Sequence, residues 1–156
     1  MLYVSGRHAL NIQNSLNTCG DWHTSAMNWK KLRMLDSEDS MYGEWGIETG
    51  KTVPDNEGVF NVANDIRAVL DFMEQDRSIG LKGFYNDYFC TDEYDEVFFE
   101  KVYVLREKNH WFDIDNLMVN EFLWKWDVFL IKKGESYGRL ENETQGYNGS
   151  LSEIYK

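Results

Sequence analysis

Three residues that could do chemistry stand close together near the start of the chain. Cys19, Asp21 and His23 lie within five positions of one another, and His8 precedes them. Alternate residues of an extended segment face the same side, so a thiol, a carboxylate and an imidazole could meet on this loop. Such a set could form part of a transition-metal site, or it could supply a nucleophile and its base. The sequence therefore offers one hypothesis for a catalytic or metal site.

The same loop has a simpler structural interpretation, which the sequence favours. Its spacing matches no strong zinc motif, and a catalytic cysteine needs a histidine fixed in space rather than near in sequence. Asp is a frequent helix cap, and burial is a common state of cysteine. We therefore expect Asp21 to cap a short helix, His23 to hydrogen-bond backbone and Cys19 to be buried. The alternative, a site built from Cys19, Asp21, His23 and His8, stays open.

An acidic cluster near the middle of the chain is the second candidate site. Five of the nine residues from 92 to 100 are Asp or Glu. The helix dipole favours acids at a helix start, yet acids at helical spacing repel one another, so the cluster is either a solvated face or a surface for a basic partner. Aromatic side chains off the apolar stripes would anchor such a partner. The predicted partner-binding residues are Asp92, Glu93, Asp95, Glu96, Glu100, Tyr103 and Trp124.

The whole chain is acidic and rich in aromatic residues. It has 156 residues, of which 27 are acidic and 16 basic, a formal charge of −11, and 15% aromatic residues. This balance argues against nucleic acid as a direct ligand and against an anionic membrane surface, because both attract clustered lysine and arginine. It permits a basic protein partner reached by electrostatic steering. Phosphate-loop, nucleophile-elbow and HExxH patterns are absent from the sequence, so no cofactor is expected.

Cysteine usage and hydropathy predict the compartment. Two cysteines are too few for a disulfide framework in a domain of this size. No apolar run in the sequence reaches the length of a membrane span, and the first residues lack the pattern of a signal peptide. We therefore expect free thiols and a cytoplasmic location.

The elements that would position these residues are one short strand, an aromatic loop and three helices. Residues 2–4 form a β-like run, and residues 16–48 combine glycines, turn formers and three tryptophans. Apolar residues at helical spacing predict helices over residues 61–75, 91–107 and 113–133.

This pattern predicts a mainly α fold of the α+β class. We expect the C-terminal half to be a helical bundle of about three long helices. The N-terminal half is expected to be irregular, with short strands and a packed aromatic loop. Residues 1–134 are predicted to form a single globular domain, and the polar residues 135–156 a mobile C-terminal tail.

Several sequence phrases, taken in order, carry a resemblance. They are SGRHALNI, LNTCGDWH followed by Trp29, SMYGEWGIE, and VANDIRAVLDFME. Together they resemble a family of small uncharacterised bacterial proteins, over roughly residues 4 to 130. The resemblance implies a gene linked to mobile elements or to toxin–antitoxin and phage-defence loci. It carries no activity and no catalytic residue over to this chain.

Charge and aromatic content favour a non-enzymatic inhibitor over an enzyme. We expect an acidic protein that covers a basic active site or nucleic-acid groove on a partner, which would be a toxin, a nuclease or a nucleic-acid-binding effector. An antitoxin, an immunity-type protein and a phage anti-defence protein of the anti-CRISPR kind all fit this description. The alternatives are a small enzyme or metal-binding protein that uses Cys19, Asp21 and His23, and a subunit that forms a homo-oligomer through aromatic faces.

Overall fold

The computed structural model of the chain describes residues 1–135. The chain divides into two compact units, Met1–Leu117 and Met118–Lys156. The predicted mobile tail, residues 135–156, lies outside the described residues except for Glu135. No helix among residues 1–135 has both the length and the apolar character required to cross a membrane.

The first unit contains a four-stranded sheet with the strand order β2-β1-β4-β3. The two central strands, β1 and β4, run parallel with Val4 opposite Val62, whereas each outer strand is antiparallel to its neighbour. Parallel neighbours end at the same edge of a sheet, so the segments that follow β1 and β4 begin side by side. The strands are β1 Leu2–Val4, β2 Met34–Asp36, β3 Ile47–Lys51 and β4 Phe60–Ala63.

A helix follows each central strand. Helix α1 comes directly after β1, and α2 after β4. Asn64 caps α2, because its side-chain oxygen accepts a hydrogen bond from the backbone N–H of Arg67 at 2.9 Å. Helix predominates over strand in the described residues, and the fold is mixed, with helices and a four-stranded sheet. The helices are α1 Gly6–Leu10, α2 Asp65–Glu74, α3 Asp95–Tyr103, α4 Trp111–Phe122 and α5 Trp124–Lys132.

Two predicted helices begin later than the sequence pattern indicated. The first was expected from residue 61, but residues 60–63 form strand β4, which pairs with both β1 and β3. The second was expected to begin at Thr91. There the hydroxyl of Thr91 accepts from the backbone N–H of Glu93 at 3.2 Å in a turn, and α3 begins only at Asp95. Local hydrogen bonds and strand pairing therefore override the apolar periodicity at both starts.

The third predicted helix, residues 113–133, is two helices. The break is Leu123, whose φ of 53° lies in the left-handed region. A leucine cannot hold that conformation inside a right-handed helix, so α4 ends before it and α5 begins after it. In the second unit, the rings of Trp126 and Phe129 stack at 5.3 Å within α5.

A buried ion pair within α2 is hydrogen-bonded to the sheet through Tyr3. Arg67 and Asp71 lie off the apolar stripe of α2, yet both are almost fully buried. The Arg67 guanidinium donates to Asp71 Oδ1 at 2.8 Å, to the Tyr3 hydroxyl at 2.8 Å and to the carbonyl oxygens of Gly43 and Trp45. One side chain thus connects α2, β1 and the aromatic loop, and its charge is paired with the carboxylate of Asp71.

Three buried phenylalanines fix the segment that precedes α3. The rings of Phe84, Phe89 and Phe98 meet edge to face at centroid distances of 5.0 to 5.7 Å. Such edge-to-face contacts stabilise a core beyond the burial of apolar area. They hold Tyr88 and Cys90, which lie in the same segment, in a fixed place beside α3.

Candidate functional site

A disulfide pins the loop that carries the candidate residues. Cys19 is bonded to Cys90, 71 residues away, with the two Cα atoms 5.9 Å apart. The backbone N–H groups of Cys19 and Gly20 both donate to the carbonyl oxygen of Tyr88, at 2.9 and 3.0 Å. The expectation of free thiols was wrong. In this state Cys19 has no thiolate to act as a nucleophile or metal ligand, because its sulfur is bonded to the sulfur of Cys90.

Two backbone positions shape the loop. Gly20 has a φ of +71°, and a Cβ there would lie 2.8 Å from the carbonyl oxygen of Leu10, so only glycine fits. Trp22 has a φ of 56° although it carries a bulky side chain that is 60% exposed. Such a conformation costs on the order of 1–3 kcal/mol and persists only where its surroundings enforce it. The loop is therefore strained at Trp22, after Asp21, and requires glycine at position 20, before it.

The strained loop brings Asp21 and His23 together. Nδ1 of His23 lies 2.5 Å from Oδ1 of Asp21. A carboxylate only accepts, so Nδ1 carries the proton and Nε2 is left as the basic nitrogen. The Asp21 side chain is 13% exposed and the His23 side chain 78% exposed. The hydrogen bond to Asp21 and the charge of that carboxylate raise the pKa of His23 above its usual 6.5.

This arrangement differs from the structural interpretation that the sequence favoured. The turn Thr24–Ala26 follows the loop without a side-chain cap, so Asp21 does not cap it. The His23 ring binds a carboxylate rather than backbone. The physical reason is that the positive φ of Trp22 turns the chain back, which places residues 21 and 23 side by side.

Asn11 holds both members of the pair. Its Oδ1 accepts from the backbone N–H of His23 at 2.7 Å, and its Nδ2 donates to Asp21 Oδ2 at 3.3 Å and to the carbonyl oxygen of Arg7 at 2.8 Å. The backbone N–H of Asp21 donates to the carbonyl oxygen of Leu10 at 2.8 Å. Asn11 is buried, so these bonds are shielded from water. The orientation of the pair is therefore fixed by α1.

His8 lines the same region, but its ring nitrogens are both engaged. Nδ1 accepts from the backbone N–H of Arg33 at 3.2 Å, so Nε2 is the protonated nitrogen, and it donates to the carbonyl oxygen of Asn28 at 3.1 Å. The ring also meets buried Trp29 edge to face at 5.3 Å. His8 thus forms a wall beside His23 and offers no free base.

An open groove of about 530 Å³ lies in front of these residues. Arg7 lines the groove, and its Nη1 is 3.6 Å from Asp21 Oδ2. Cationic groups beside a base can stabilise negative charge on a bound molecule. We call this cavity the His23 groove; it is lined by Arg7, His8, Asp21, His23, Ala26, Met27, Asn28 and Lys31.

Sequence reasoning missed Arg7, Asn11 and Lys31. Arg7 and Asn11 are four residues apart, the spacing that puts two side chains on one face of a helix. That spacing was the only available signal, because the contacts of Asn11 to Asp21 and His23 depend on how the loop returns to α1.

The predicted partner-binding residues occupy a different part of the chain. Asp95 is half-buried at the start of α3, and the half-buried Tyr103 ring is covered by the Arg106 guanidinium at 4.4 Å. Trp124 is 67% exposed and belongs to the second unit. The exposed acids of the cluster are Asp92, Glu93, Glu96 and Glu100.

The described residues contain no cluster of metal-binding side chains, and comparisons with known proteins found no match. Within residues 1–135, no group of three or more His, Cys, Asp or Glu side chains is arranged to hold a metal ion. No protein-family model, curated protein or solved structure matches this chain.

Proposed function

We propose that the chain is a small enzyme in which His23, oriented by Asp21, acts as the acid–base catalyst. The observation that carries this proposal is the 2.5 Å contact between His23 Nδ1 and Asp21, with Nε2 left free at an open groove. An imidazole held by a carboxylate at one nitrogen and open at the other is suited to take a proton from water or a hydroxyl group. Hydrolysis and group transfer are the reaction classes that need this step.

The proton transfers follow from the same geometry. Nε2 takes the proton of the attacking water or hydroxyl, and the carboxylate of Asp21 stabilises the imidazolium that results. The imidazolium then returns the proton to the leaving group, which restores neutral His23. Arg7 and Lys31, on the wall of the groove, stabilise negative charge that develops on the substrate.

An acidic inhibitor of a basic protein is the second candidate function. It is supported by the exposed carboxylates of Asp92, Glu93, Glu96 and Glu100 and by the formal charge of −11. We rank it second because Asp95 is half-buried and Arg106 covers the ring of Tyr103, which reduces the surface available to a partner. In this proposal the partner is a toxin, a nuclease or a nucleic-acid-binding effector.

Other expectations from the sequence remain predictions. The cytoplasmic location is one of them, and the Cys19–Cys90 disulfide argues against it, since such bonds persist mainly in oxidising compartments. Fractionation of the source cells would decide between the cytoplasm and an oxidising compartment. The bundle of three long helices, the homo-oligomer and the link to toxin–antitoxin or phage-defence loci also remain predictions.

Turnover assays test the enzyme proposal. Chromogenic carboxylic esters, phosphate esters and glycosides are offered to the native chain, to His23→Gln and to His110→Gln. His110 is the matched control, because its Nε2 donates to the carbonyl oxygen of Met73 outside the groove. We expect turnover to fall by about 100-fold or more in His23→Gln and to stay near the native level in His110→Gln.

A different result would favour the inhibitor. If no substrate class is turned over, and a basic protein is captured stoichiometrically and released by salt, the enzyme proposal is wrong. Charge reversal at Glu93, Glu96 and Glu100 would then be expected to abolish the capture.

A further inference from the structure

A second cavity adjoins the His23 groove. It has a volume of about 270 Å³ and shares Arg7, His8 and Met27 with the groove. The side chains of three arginines line it, those of Arg7, Arg33 and Arg77. We call this cavity the arginine pocket. It is a basic feature in a chain whose acids outnumber its bases by 27 to 16.

The carboxylates near the pocket do not neutralise these three charges. Asp71 is the acid on its walls, and Oδ1 of Asp71 is bound by Arg67 at 2.8 Å while Oδ2 accepts from two hydroxyls. Asp21 lies 3.6 Å from Arg7, but it belongs to the groove and also binds His23. The positive charges of three arginine side chains that line one cavity repel one another, and an anion bound between them would relieve that repulsion.

Arg7 and Arg33 donate hydrogen bonds to neutral groups, which leave further N–H donors for a ligand. Arg7 Nη1 donates to the hydroxyl of Tyr88 at 3.0 Å, and Arg33 Nη2 donates to Gln75 Oε1 at 2.5 Å. Within residues 1–135 the guanidinium of Arg77 has no hydrogen-bond or ion-pair partner. Each guanidinium carries five N–H groups, so most of the donors of the three side chains stay free.

We propose that the arginine pocket binds the phosphoryl group of a small phosphate ester. Guanidinium forks match the oxygens of a phosphate, and several of them around one anion form the strongest kind of phosphate contact. A cavity of about 270 Å³ has room for a phosphoryl group, and the adjoining 530 Å³ groove can receive the rest of the molecule. Arg7 lines both the arginine pocket and the His23 groove, so it contacts the ligand at the point where the ligand passes from one to the other.

This assignment names the substrate class of the proposed enzyme and, to that extent, rests on the proposed function. The phosphoryl group is the anchor, and the bond that reacts is the one that reaches Nε2 of His23. Nucleic acid is the less suitable source of phosphate, because a chain of charge −11 repels an extended polyanion. The ligand is therefore a small molecule with one phosphate ester.

Calorimetric titration at about 0.15 M salt tests the pocket. The probes are phenyl phosphate, inorganic phosphate and a short single-stranded oligonucleotide. The variants are Arg77→Gln and Arg33→Gln, with Arg106→Gln as the matched control, since Arg106 contacts Tyr103 and does not line the pocket. We expect saturable binding of phenyl phosphate that is weakened about tenfold or more in the two pocket variants and unchanged in the control.

Three results would overturn the proposal. They are the absence of saturable binding up to about 10 mM phenyl phosphate, equal weakening by Arg106→Gln, and tighter binding of inorganic phosphate or of the oligonucleotide. A His23→Gln variant separates this inference from the proposed function. If that variant and the native chain bind the probe equally but neither assay finds turnover, the pocket stands and the enzyme proposal fails. If turnover depends on His23 and no probe binds, the enzyme stands and the pocket fails.

Discussion

The carboxylate of Asp21 accepts the Nδ1 proton of His23 across 2.5 Å, although only Trp22 separates the two residues in the chain. A pairing this local depends on contacts that are distant in sequence. The disulfide from Cys19 holds one end of the loop, and buried Asn11 holds the other. Substitutions at the disulfide or at Asn11 should therefore disturb the hydrogen bond between Asp21 and His23, although neither of these two residues is changed.

Loss of the disulfide should destabilise the chain. A crosslink across 71 residues restricts the unfolded chain enough to stabilise the native state by about 4 kcal/mol. We expect the Cys19→Ser, Cys90→Ser double variant to lose stability of that order in urea titrations. The native chain under reductant should match the double variant. Equal stability of the oxidised and reduced native chain would contradict the structural role of this bond.

Gly20→Ala should lower the free energy of unfolding by more than Gly50→Ala does. Both glycines have positive φ, +71° and +70°, so alanine pays a similar backbone penalty at each. A Cβ at position 20 would meet the carbonyl oxygen of Leu10 at 2.8 Å, whereas nothing lies within 4 Å of one at position 50. We expect the unfolding free energies of the two variants to differ by about 1–3 kcal/mol. A difference near zero would mean that the loop has room to move away from α1.

Asp65→Asn should stabilise the chain above neutral pH. Asp65 is 2% exposed, and burial raises its pKa from an ordinary 3.8 to about 6. The folded state therefore binds more protons than the unfolded state between these values, so stability falls as pH rises through that window. The shift corresponds to a destabilisation on the order of 3 kcal/mol above pH 6.

Asparagine cannot ionise, so its advantage over Asp65 should be present at pH 8 and vanish near pH 4. Thermal melts of both chains at these two pH values provide the measurement. The Thr18 hydroxyl, which donates to Asp65 Oδ2 at 2.6 Å, can donate equally to the Asn amide oxygen. A constant difference between the two chains at all pH values would show that ionisation of Asp65 is not the cause.

Arg67→Ala should be strongly destabilising. The change leaves Asp71 buried without its cation, and it also removes donors from the carbonyl oxygens of Gly43 and Trp45. Breaking one side of a buried ion pair typically costs about 3–5 kcal/mol. Arg106→Ala, on the surface, should change stability by no more than about 0.5 kcal/mol. Chemical denaturation of the two variants measures the contrast, and similar losses would refute it.

The fold was predictable where local pattern decides the structure. The run Leu2–Val4 is strand β1, and the apolar stripe from Ile66 to Met73 lies in α2. Val62 and Ala63 fit the helical spacing as well, but they pair with β1 and β3, a choice that depends on residues far along the chain. The break at Leu123 had no signal, because leucine is a good helix former.

Part of the candidate site was predictable for the same reason. Asp21 and His23 could be named because their residue types and spacing are local, and His8 because it is a second imidazole nearby. The disulfide depends on Cys90, which is 71 residues from Cys19, and the support of the pair depends on how the loop folds back onto Asn11, which the spacing of the loop residues does not indicate. Arg33 and Arg77 meet Arg7 only after β2 and α2 are placed, so the arginine pocket had no signal in the sequence.

An NMR pH titration of the ring nitrogens of His23, in the native chain and in Asp21→Asn, tests the hydrogen-bonded pair on which the proposed function rests. We expect a proton on Nδ1 of His23 and a His23 pKa above 6.5 in the native chain, because Asp21 favours the imidazolium. We expect a lower His23 pKa in Asp21→Asn, because the neutral amide removes the attraction. A native pKa at or below 6.5 that does not change in the variant would contradict an acid–base pair formed by Asp21 and His23.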